Sequence, residues 1–146
     1  MEIRWAEDDE TLDDALSVRR DVFIREQGVP EHRELDGEDA NATHFVAYDD
    51  GEPIGTARLR RHGGTDRGDT GKIERVAVVE ERRGEGLGRE IMDAVERAAR
   101  ETGYGSVVLH AQVPVVPFYA DLGYEPIGEE FEDAGISHRK MRKSLR

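Results

Sequence analysis

The chain has 146 residues, a length typical of one domain with its own hydrophobic core, and we expect a single domain over residues 1–146. Its 33 acidic and 21 basic residues give a formal net charge of −12, which argues against binding to nucleic acid. The absence of cysteine excludes disulfides, thiolate catalysis and Cys-ligated zinc.

The basic residues are mainly arginine, with lysine only at Lys72, Lys140 and Lys143. This composition favours adaptation to a salty cytoplasm, because salt screens the repulsion within a highly acidic protein; codon bias is the alternative explanation. The segment MEIRWAEDDE has no apolar run, and no stretch of the sequence approaches about 18 apolar residues. We therefore predict neither a signal peptide nor a membrane span, and we expect a soluble, cytoplasmic protein.

Hydrophobic periodicity and turn residues predict seven strands and three helices. The strands are predicted at 3–6, 43–48, 53–61, 72–79, 106–111, 124–131 and 136–141, and the helices at 11–27, 87–102 and 114–122. Thr11 and Asp14 form a capping-box pattern at the first helix. The Asp-Gly pair at 50–51 and the turn residues at 133–135 predict two hairpins. Residues 31–41 are predicted as a loop or broken helix, and residues 63–71 as a polar connection.

Residues 82–89 (RRGEGLGR) form a glycine-rich turn between a β-branched strand and an amphipathic helix. Glycine permits positive φ angles, and the first amides of a helix have no acceptors within it, so such a turn can bind an anion. The segment has three arginines and one glutamate, which makes it locally basic. Its glycine spacing is neither that of a Walker loop nor that of a dinucleotide fingerprint. A flexible turn without a ligand is the alternative interpretation.

This turn resembles the acyl-CoA motif of the GNAT N-acetyltransferase superfamily, [RQ]-x-x-G-x-[GA], through Arg83, Gly86 and Gly88. The resemblance continues through the pairs FY at 118–119 and LGY at 122–124. Gln112 stands where members of the family commonly have asparagine, a departure that preserves the side-chain amide.

The remaining sequence is most similar to the ElaA-like branch of this superfamily. The similar positions are the run EQGVP at 26–30, the acidic pattern at 34–39, His44, and the segment GISHRKM at 135–141. The resemblance therefore covers nearly the whole chain. It implies an α/β (α+β) class and the GNAT acyl-CoA N-acyltransferase fold, with a mixed, mostly antiparallel central sheet flanked by helices.

In that fold the sheet splays between the strands at 72–79 and 106–111, and the pantetheine of acetyl-CoA lies in the gap. The resemblance implies that main-chain groups of Val76 and Val78 bind the pantetheine and the thioester carbonyl, and that amides of 83–88 bind the pyrophosphate. The complete set of implied CoA-binding residues is Val76, Ala77, Val78, Arg83, Gly84, Glu85, Gly86, Leu87, Gly88, Arg89, Gln112 and Tyr119.

The implied reaction is direct transfer of acetyl from acetyl-CoA to a primary amine of a small molecule or protein. Tyr119 is the candidate that protonates or hydrogen-bonds the departing thiolate; a buried core tyrosine is the alternative. Glu74 is the candidate base, because strand alternation places it on the same face as Val76 and Val78. Pairing of Glu74 with Arg75, Arg58 or Arg60 is the alternative interpretation.

Glu26, His44 and His138 are further candidates for binding or deprotonating the acceptor amine, and water could also carry the proton. The acidic stretch 31–52 is interpreted as solvated surface rather than as a patch that attracts a cationic amine. The histidines are scattered, so no metal site is predicted. A non-catalytic acyl-CoA sensor with the same fold is the alternative function. Edge strands could pair two copies into a homodimer, and no residue identifies the acceptor.

Overall fold

The computed structural model describes residues 1–62 and 69–146, and the chain forms seven strands and four α-helices within them. The elements are β1 (Glu2–Trp5), α1 (Asp9–Arg19), α2 (Glu31–Glu34), β2 (Thr43–Asp49), β3 (Glu52–Arg61), β4 (Thr70–Val78), α3 (Leu87–Thr102), β5 (Ser106–Gln112), α4 (Val116–Asp121), β6 (Glu125–Asp133) and β7 (Ile136–Ser144). Of the predicted connection 63–71, residues 63–68 lie outside the described residues.

The strands form one sheet in the order β1-β2-β3-β4-β5-β7-β6. Every neighbouring pair is antiparallel except β4 and β5, which are parallel. The crossover between the two parallel strands is α3, as the parallel arrangement requires. The predicted mixed, mostly antiparallel sheet flanked by helices is therefore confirmed.

Helices cover both faces of the sheet. On one face, which we call the α1 face, Val46 and Tyr48 of β2 cluster with Ala15, and the Tyr48 hydroxyl donates to Asp14 at 2.6 Å. On the other face, a Cβ added to Gly55 would come within 2.6 Å of Ile91 in α3. The amphipathic α3 thus covers this second face, and α1 packs on the α1 face.

The first helix begins earlier than the capping-box pattern predicts. Asp8 is the N-cap, and its carboxylate accepts a hydrogen bond from the Thr11 amide at 2.7 Å. Thr11 is therefore inside the helix, since an acidic residue before it already satisfies the free amide. After Arg19 the helix continues as a π-helical segment, Arg20–Glu26, which brings its end towards the open part of the sheet.

Both predicted hairpin turns are present. Asp50 and Gly51 have φ angles of 50° and 81°, and Ala134 and Gly135 have φ angles of 52° and 76°. Two consecutive positive φ angles are typical of the type I′ turn, whose twist matches that of the flanking antiparallel strands. These local signals set the connections of β2 to β3 and of β6 to β7.

Candidate active site

The sheet opens between β4 and β5. Their parallel pairing ends at the pair of Ile73 and Leu109. Beyond it, β4 continues to Val78 along β3, and β5 continues to Gln112 along β7. The facing edges of the two strands are unpaired over these last residues, in the described part of the chain. Free main-chain donors and acceptors on such edges can bind an extended ligand as an added strand.

A β-bulge lies in β4 beside this gap. Arg58 of β3 pairs with Glu74, whereas Thr56 pairs with Ala77, so β4 has one residue more than β3 in this interval. Within the bulge, Arg75 has a φ angle of 55°, in the left-handed region that side chains rarely adopt. Paired residues share a face of the sheet, so Glu74 and Ala77 lie on the same side.

The bulge contradicts the prediction that Glu74 shares a face with Val76 and Val78. Strict alternation assumes no inserted residue, and the extra residue shifts the pattern by one position. Val78 instead pairs with Gly55, whose Cβ direction is towards α3. Val76 and Val78 still border the gap through their main chain, while the side chain of Glu74 is on the α1 face.

Glu74 is held by three cationic side chains. Its carboxylate is 3.0 Å from an Arg58 nitrogen, 2.5 Å from Arg60 Nε and 3.4 Å from Lys72 Nζ. Although burial opposes ionisation of the carboxyl, these partners lower its pKa to about 2. The pairing that the sequence analysis gave as the alternative is thus present for Arg58 and Arg60, and Glu74 is a stably ionised carboxylate.

The glycine-rich turn forms an open cradle. Gly84 and Gly86 have φ angles of 82° and 83°, and a Cβ on either would meet nothing within 4 Å. Gly86 is the N-cap of α3 without a side-chain cap, and Leu87, which is buried, anchors the helix start. The amides of 84–89 donate to no acceptor among the described residues. Six free amides at a helix start fit an anionic diphosphate.

The other members of the turn have distinct contacts. A Cβ on Gly88 would stand 3.1 Å from the Phe118 ring, so this glycine allows α3 and α4 to approach closely. Glu85 accepts hydrogen bonds from Arg82, and Arg89 is exposed without an ion-pair partner among the described residues. Arg89 is therefore free to meet an anion in the cradle.

Arg83 connects the cradle to the end of the π-helical segment. Its guanidinium donates to both carboxylate oxygens of Glu26, at 2.6 and 2.7 Å, and its Nε donates to the Val78 carbonyl at 2.9 Å. The hydrogen bonds from Arg83 lower the pKa of Glu26. Glu26, predicted on the acceptor side, therefore lies against the CoA motif, where it orients Arg83.

Gln112 ends β5 at the open edge of the sheet. Its amide donates to the Gln27 side chain at 2.8 Å, which joins β5 to the residue that follows the π-helical segment. His138 lies directly opposite Gln112 in β7. The His138 ring stacks on Phe131, and its Nδ1 is 2.7 Å from the Ile136 carbonyl. Two predicted residues thus lie side by side, Gln112 on the strand that borders the gap and His138 on the next strand, and Gln27 was missed.

Tyr119 lies in α4, the helix that follows β5. The residue is only 7% exposed, and its ring contacts Phe118 and Tyr124 edge to face. Its hydroxyl makes no hydrogen bond to a described residue. Burial raises the pKa of Tyr119 above its ordinary value, so the phenol stays protonated and suits hydrogen-bond donation. Tyr119 is therefore buried, as the alternative interpretation expected, but its hydroxyl group has no hydrogen-bond partner among the described residues.

The sequence is similar to those of known proteins over nearly its whole length. Residues 9–145 match the profile described as the acetyltransferase (GNAT) domain. The uncharacterised N-acetyltransferase YjcF of Bacillus subtilis is 42% identical over 139 residues, covering 94% of this chain and 96% of its own.

The chain belongs to the GNAT acetyltransferase family. Its fold matches a crystal structure of an acyl-CoA N-acyltransferase from Pseudomonas aeruginosa with a TM-score of 0.85 and 27% identity, covering 99% of this chain and 100% of that one. It also matches crystalline ElaA of Escherichia coli with a TM-score of 0.85 and 27% identity, covering 98% and 100%. The predicted resemblance to GNAT proteins and to ElaA is therefore confirmed.

In this GNAT protein the acidic stretch 31–52 forms solvated surface only in part. Glu31, Asp50 and Glu52 are exposed, as the sequence analysis interpreted them, whereas three other carboxylates bind buried arginines. The resulting cluster, which we call the arginine cluster, consists of Arg19, Arg58, Arg75, Glu34, Asp36 and Asp39. Arg19 and Arg58 are 1% and 0% exposed, and Asp39 contacts both, at 2.7 and 2.9 Å. The segment is thereby fixed to the α1 face, because a buried guanidinium requires a paired charge.

His44 belongs to the same cluster and not to the gap. It lies in β2 opposite Arg58, is 4% exposed, and its Nε2 is 3.0 Å from the Asp39 carbonyl. Burial lowers the pKa of His44, so the ring is neutral in the folded protein. Since β3 and β4 separate β2 from the gap, the geometry does not support the prediction that His44 binds the acceptor.

His110 is a residue of the site that the sequence analysis missed. It lies in β5 on the same face as Gln112 and directly opposite Lys140. Its pKa is lowered to about 4, through partial desolvation and the positive charges of Lys72 and Lys140. The sequence did contain a signal for His110, because it is a single histidine in an otherwise mostly apolar strand.

Among the described residues, no group of three or more histidine, aspartate or glutamate side chains could hold a metal ion. No helix in residues 1–62 and 69–146 is long and apolar enough to cross a membrane.

Proposed function

We propose that the protein transfers acetyl from acetyl-CoA to a primary amine, by direct attack of the amine in a ternary complex. The observation that carries the proposal is the run of free amides at 84–89 beside an unpaired gap in the sheet. GNAT membership supports the assignment of this cradle to an acyl-CoA. The donor supplies an activated acyl thioester, and the chain supplies binding, orientation and electrostatic stabilisation.

The proposed donor-binding groups follow the gap. The amides of 84–88 bind the pyrophosphate, with Arg89 adding positive charge at its edge. Main-chain groups of Val76 to Val78 bind the pantetheine as an added strand, and the Gln112 amide hydrogen-bonds to it from β5. A main-chain donor at the thioester carbonyl matters because negative charge develops on that oxygen; losing one such donor costs about 3 kcal/mol in other enzymes.

Tyr119 is proposed to hydrogen-bond the departing thiolate. Its hydroxyl has no protein acceptor among the described residues, and its raised pKa keeps the proton on the phenol. A donor with this character stabilises the sulfur without losing its proton beforehand.

The route of the amine proton is proposed to run through water. Glu74 lies in β4, as predicted for the base, but its side chain is on the α1 face, and a pKa of about 2 makes its carboxylate a weak base. Since three cationic side chains already balance the charge of Glu74, we propose that a water molecule accepts the proton. His138 and Glu26 remain proposed contacts at the rim of the gap.

The wider setting is also a proposal. We propose that residues 1–146 act as one GNAT domain in the cytoplasm of an organism with high internal salt. The support is the charge of −12 combined with few lysines. If so, the melting temperature rises as the salt concentration is raised towards about 1 M, and a salt-independent melting temperature would contradict the halophilic assignment.

The decisive experiment combines calorimetry and turnover. Titration of the protein with CoA measures occupation of the cradle, and release of free thiol from acetyl-CoA across a panel of primary amines measures transfer. Binding of CoA together with amine-dependent thiol release supports the proposal. Binding of CoA without turnover on any amine would indicate a non-catalytic sensor, and absence of CoA binding at both low and high salt would exclude both functions.

A further inference from the structure

Three cation-bearing or hydrogen-bonding side chains meet on the α1 face where the sheet begins to open. Lys72 of β4 pairs with Val108 of β5, His110 lies two residues further along the same face of β5, and Lys140 of β7 lies directly opposite His110. Directly opposite residues such as His110 and Lys140 have Cβ atoms about 5 Å apart, and diagonal neighbours such as Lys72 and His110 are about 7–8 Å apart. We call these three residues the cationic floor.

Among the described residues, one carboxylate, that of Glu74, lies within ion-pair distance of the cationic floor. Lys140 is half-buried and has no carboxylate within ion-pair distance among the described residues. Within residues 1–62 and 69–146, Lys72 pairs with Glu74 alone, at 3.4 Å, and two arginines already hold that carboxylate. The net charge of the chain is −12, so two lysines on one face with a single nearby carboxylate, already held by arginines, depart from the general charge balance. Such an arrangement is stabilised by an external anion.

That anion is distinct from the pyrophosphate in the cradle. Lys72 is six residues before Val78 in β4, and an extended strand advances about 3.3 Å per residue. The cationic floor is therefore roughly 20 Å along the strand from the end of β4, where the turn to the cradle begins. One diphosphate does not reach both positions, so the two sites bind different anionic groups.

The segment around α2, which we call the strap, is tied to both sides of the opened sheet. Arg33 of α2 pairs with Asp133 at the β6–β7 turn, at 2.7 Å. On the other side, Arg75 donates to the carbonyls of Arg33 and Glu34 at 3.3 and 3.0 Å. The short α2 thus connects the bulge of β4 with the β6–β7 turn. The Phe131 ring contacts both His110 and His138, so an aromatic side chain lies beside the cationic floor.

We infer that the acceptor is a small amine that also carries an anionic group, a carboxylate or a phosphate, and that the cationic floor binds that group. The inference rests on the proposed acetyl transfer and adds the chemical class of the acceptor. Lys140 and Lys72 supply charge, and the His110 ring supplies a hydrogen bond to the same oxygen atoms. The amine of such a molecule extends from the floor towards the thioester in the gap.

The test measures binding separately from turnover. CoA-saturated protein is titrated with matched pairs of amines that differ in the anion: ethanolamine against O-phosphoethanolamine, and propylamine against β-alanine, together with longer homologues of each pair. We expect at least one anionic member to bind about tenfold or more tightly than its uncharged partner at constant ionic strength. The phosphate and carboxylate arms show which anion is preferred.

The matched variants are Lys140→Gln, Lys140→Arg and Arg97→Gln. Arg97 is an exposed residue of α3 on the opposite side of the sheet, so its substitution removes one positive charge away from the floor. We expect Lys140→Gln to abolish most of the preference for the anionic amine, and Lys140→Arg to retain it because the positive charge is kept. Arg97→Gln is expected to change the preference by no more than about twofold.

The outcomes separate the two proposals. Equal binding of charged and uncharged partners, absence of binding by every anionic amine, or an unchanged preference in Lys140→Gln overturns the inference. Preferential binding of an anionic amine that is not acetylated by acetyl-CoA supports the anion site and rejects the proposed transfer. Preferential binding with thiol release supports both.

Discussion

At the scale of single residues, two neighbouring tyrosines differ in what their hydroxyls do. Tyr124 donates to Glu96 at 2.8 Å, whereas the Tyr119 hydroxyl has no acceptor among the described residues. Both rings are buried, and they contact each other edge to face at 5.8 Å. The two side chains therefore allow a structural hydroxyl to be compared with a proposed catalytic one in the same environment.

We expect Tyr119→Phe to lower kcat by roughly a hundredfold with little change in the CoA dissociation constant, because general acid or hydrogen-bond donation acts mainly in the transition state. Tyr124→Phe is the control: it removes a hydrogen bond to Glu96, so it lowers the free energy of unfolding and leaves kcat nearly intact. Steady-state kinetics and calorimetry check both variants. A Tyr119→Phe protein with normal kcat would reject the acid role.

Glycine conformation gives a second prediction at this scale. Gly86 and Gly51 have φ angles of 83° and 81°, and a Cβ on either would meet open space. Alanine at each position costs about 1–2 kcal/mol in folding, because side chains disfavour the left-handed region. We expect only Gly86→Ala to weaken CoA binding, by roughly tenfold, as the cradle shifts to relieve strain. Equal CoA affinities in both variants would show that the cradle is not part of the CoA-binding site.

At the scale of elements, the β4 bulge depends on contacts from a distant segment. Arg75 holds a left-handed φ, and its guanidinium binds the Glu34 carbonyl and the Asp36 carboxylate at 3.0 and 3.3 Å. The side chain therefore ties the bulge to the segment that follows α2. Strain in the bulge is balanced by this connection.

Arg75→Ala is expected to lower the free energy of unfolding by about 1–2 kcal/mol, because it removes the hydrogen bonds of a half-buried guanidinium to a carbonyl and a carboxylate. The control is Arg25→Ala, which breaks an ion pair between side chains that are 71% and 46% exposed. An exposed pair contributes about 0.5 kcal/mol or less, so this variant stays close to the native stability. Urea unfolding measures both; similar losses in the two variants would contradict the role given to Arg75.

The bulge also shows why some of the site could not be predicted. The strand sequence KIERVAVV has the β-branched character that predicted β4, but an inserted residue leaves no mark in that pattern. The face of Glu74 was consequently assigned wrongly. By contrast, the bounds of α3 were predicted correctly, since its apolar period and the flanking glycines are local signals.

At the scale of the whole molecule, charge is divided between an internal cluster and an acidic exterior. The arginine cluster and Glu74 pair acids with bases on the α1 face, so the excess negative charge lies elsewhere. The edge strand β6 is an example, with five exposed acidic residues at 125–133. Charged side chains on an edge strand oppose pairing with another sheet, so the predicted homodimer is not expected to form through β6.

The lowered pKa of Glu74 predicts how the free energy of unfolding falls at low pH. The folded-state pKa of Glu74 is lowered from 4.5 to about 2, so its contribution is complete above about pH 5 and is lost as the pH falls towards 2. We expect Glu74→Gln to be less stable than the native protein near pH 7, and this difference in unfolding free energy to shrink between pH 4.5 and 2. Urea unfolding across this range tests it, with exposed Glu129→Gln as control. A constant difference would contradict the assigned ion pairs.

The sequence by itself determined the family, the order of strands and helices, the two tight turns and the glycine cradle. Each of these depends on local conformation or on a short ordered motif, which the residues carry directly. Only the tertiary structure decided the partners of Glu26, Glu74 and the acidic segment, and the meeting of Lys72, His110 and Lys140. Those contacts join residues far apart in the chain, such as Glu26 and Arg83 with a separation of 57, and no local pattern encodes which charges meet.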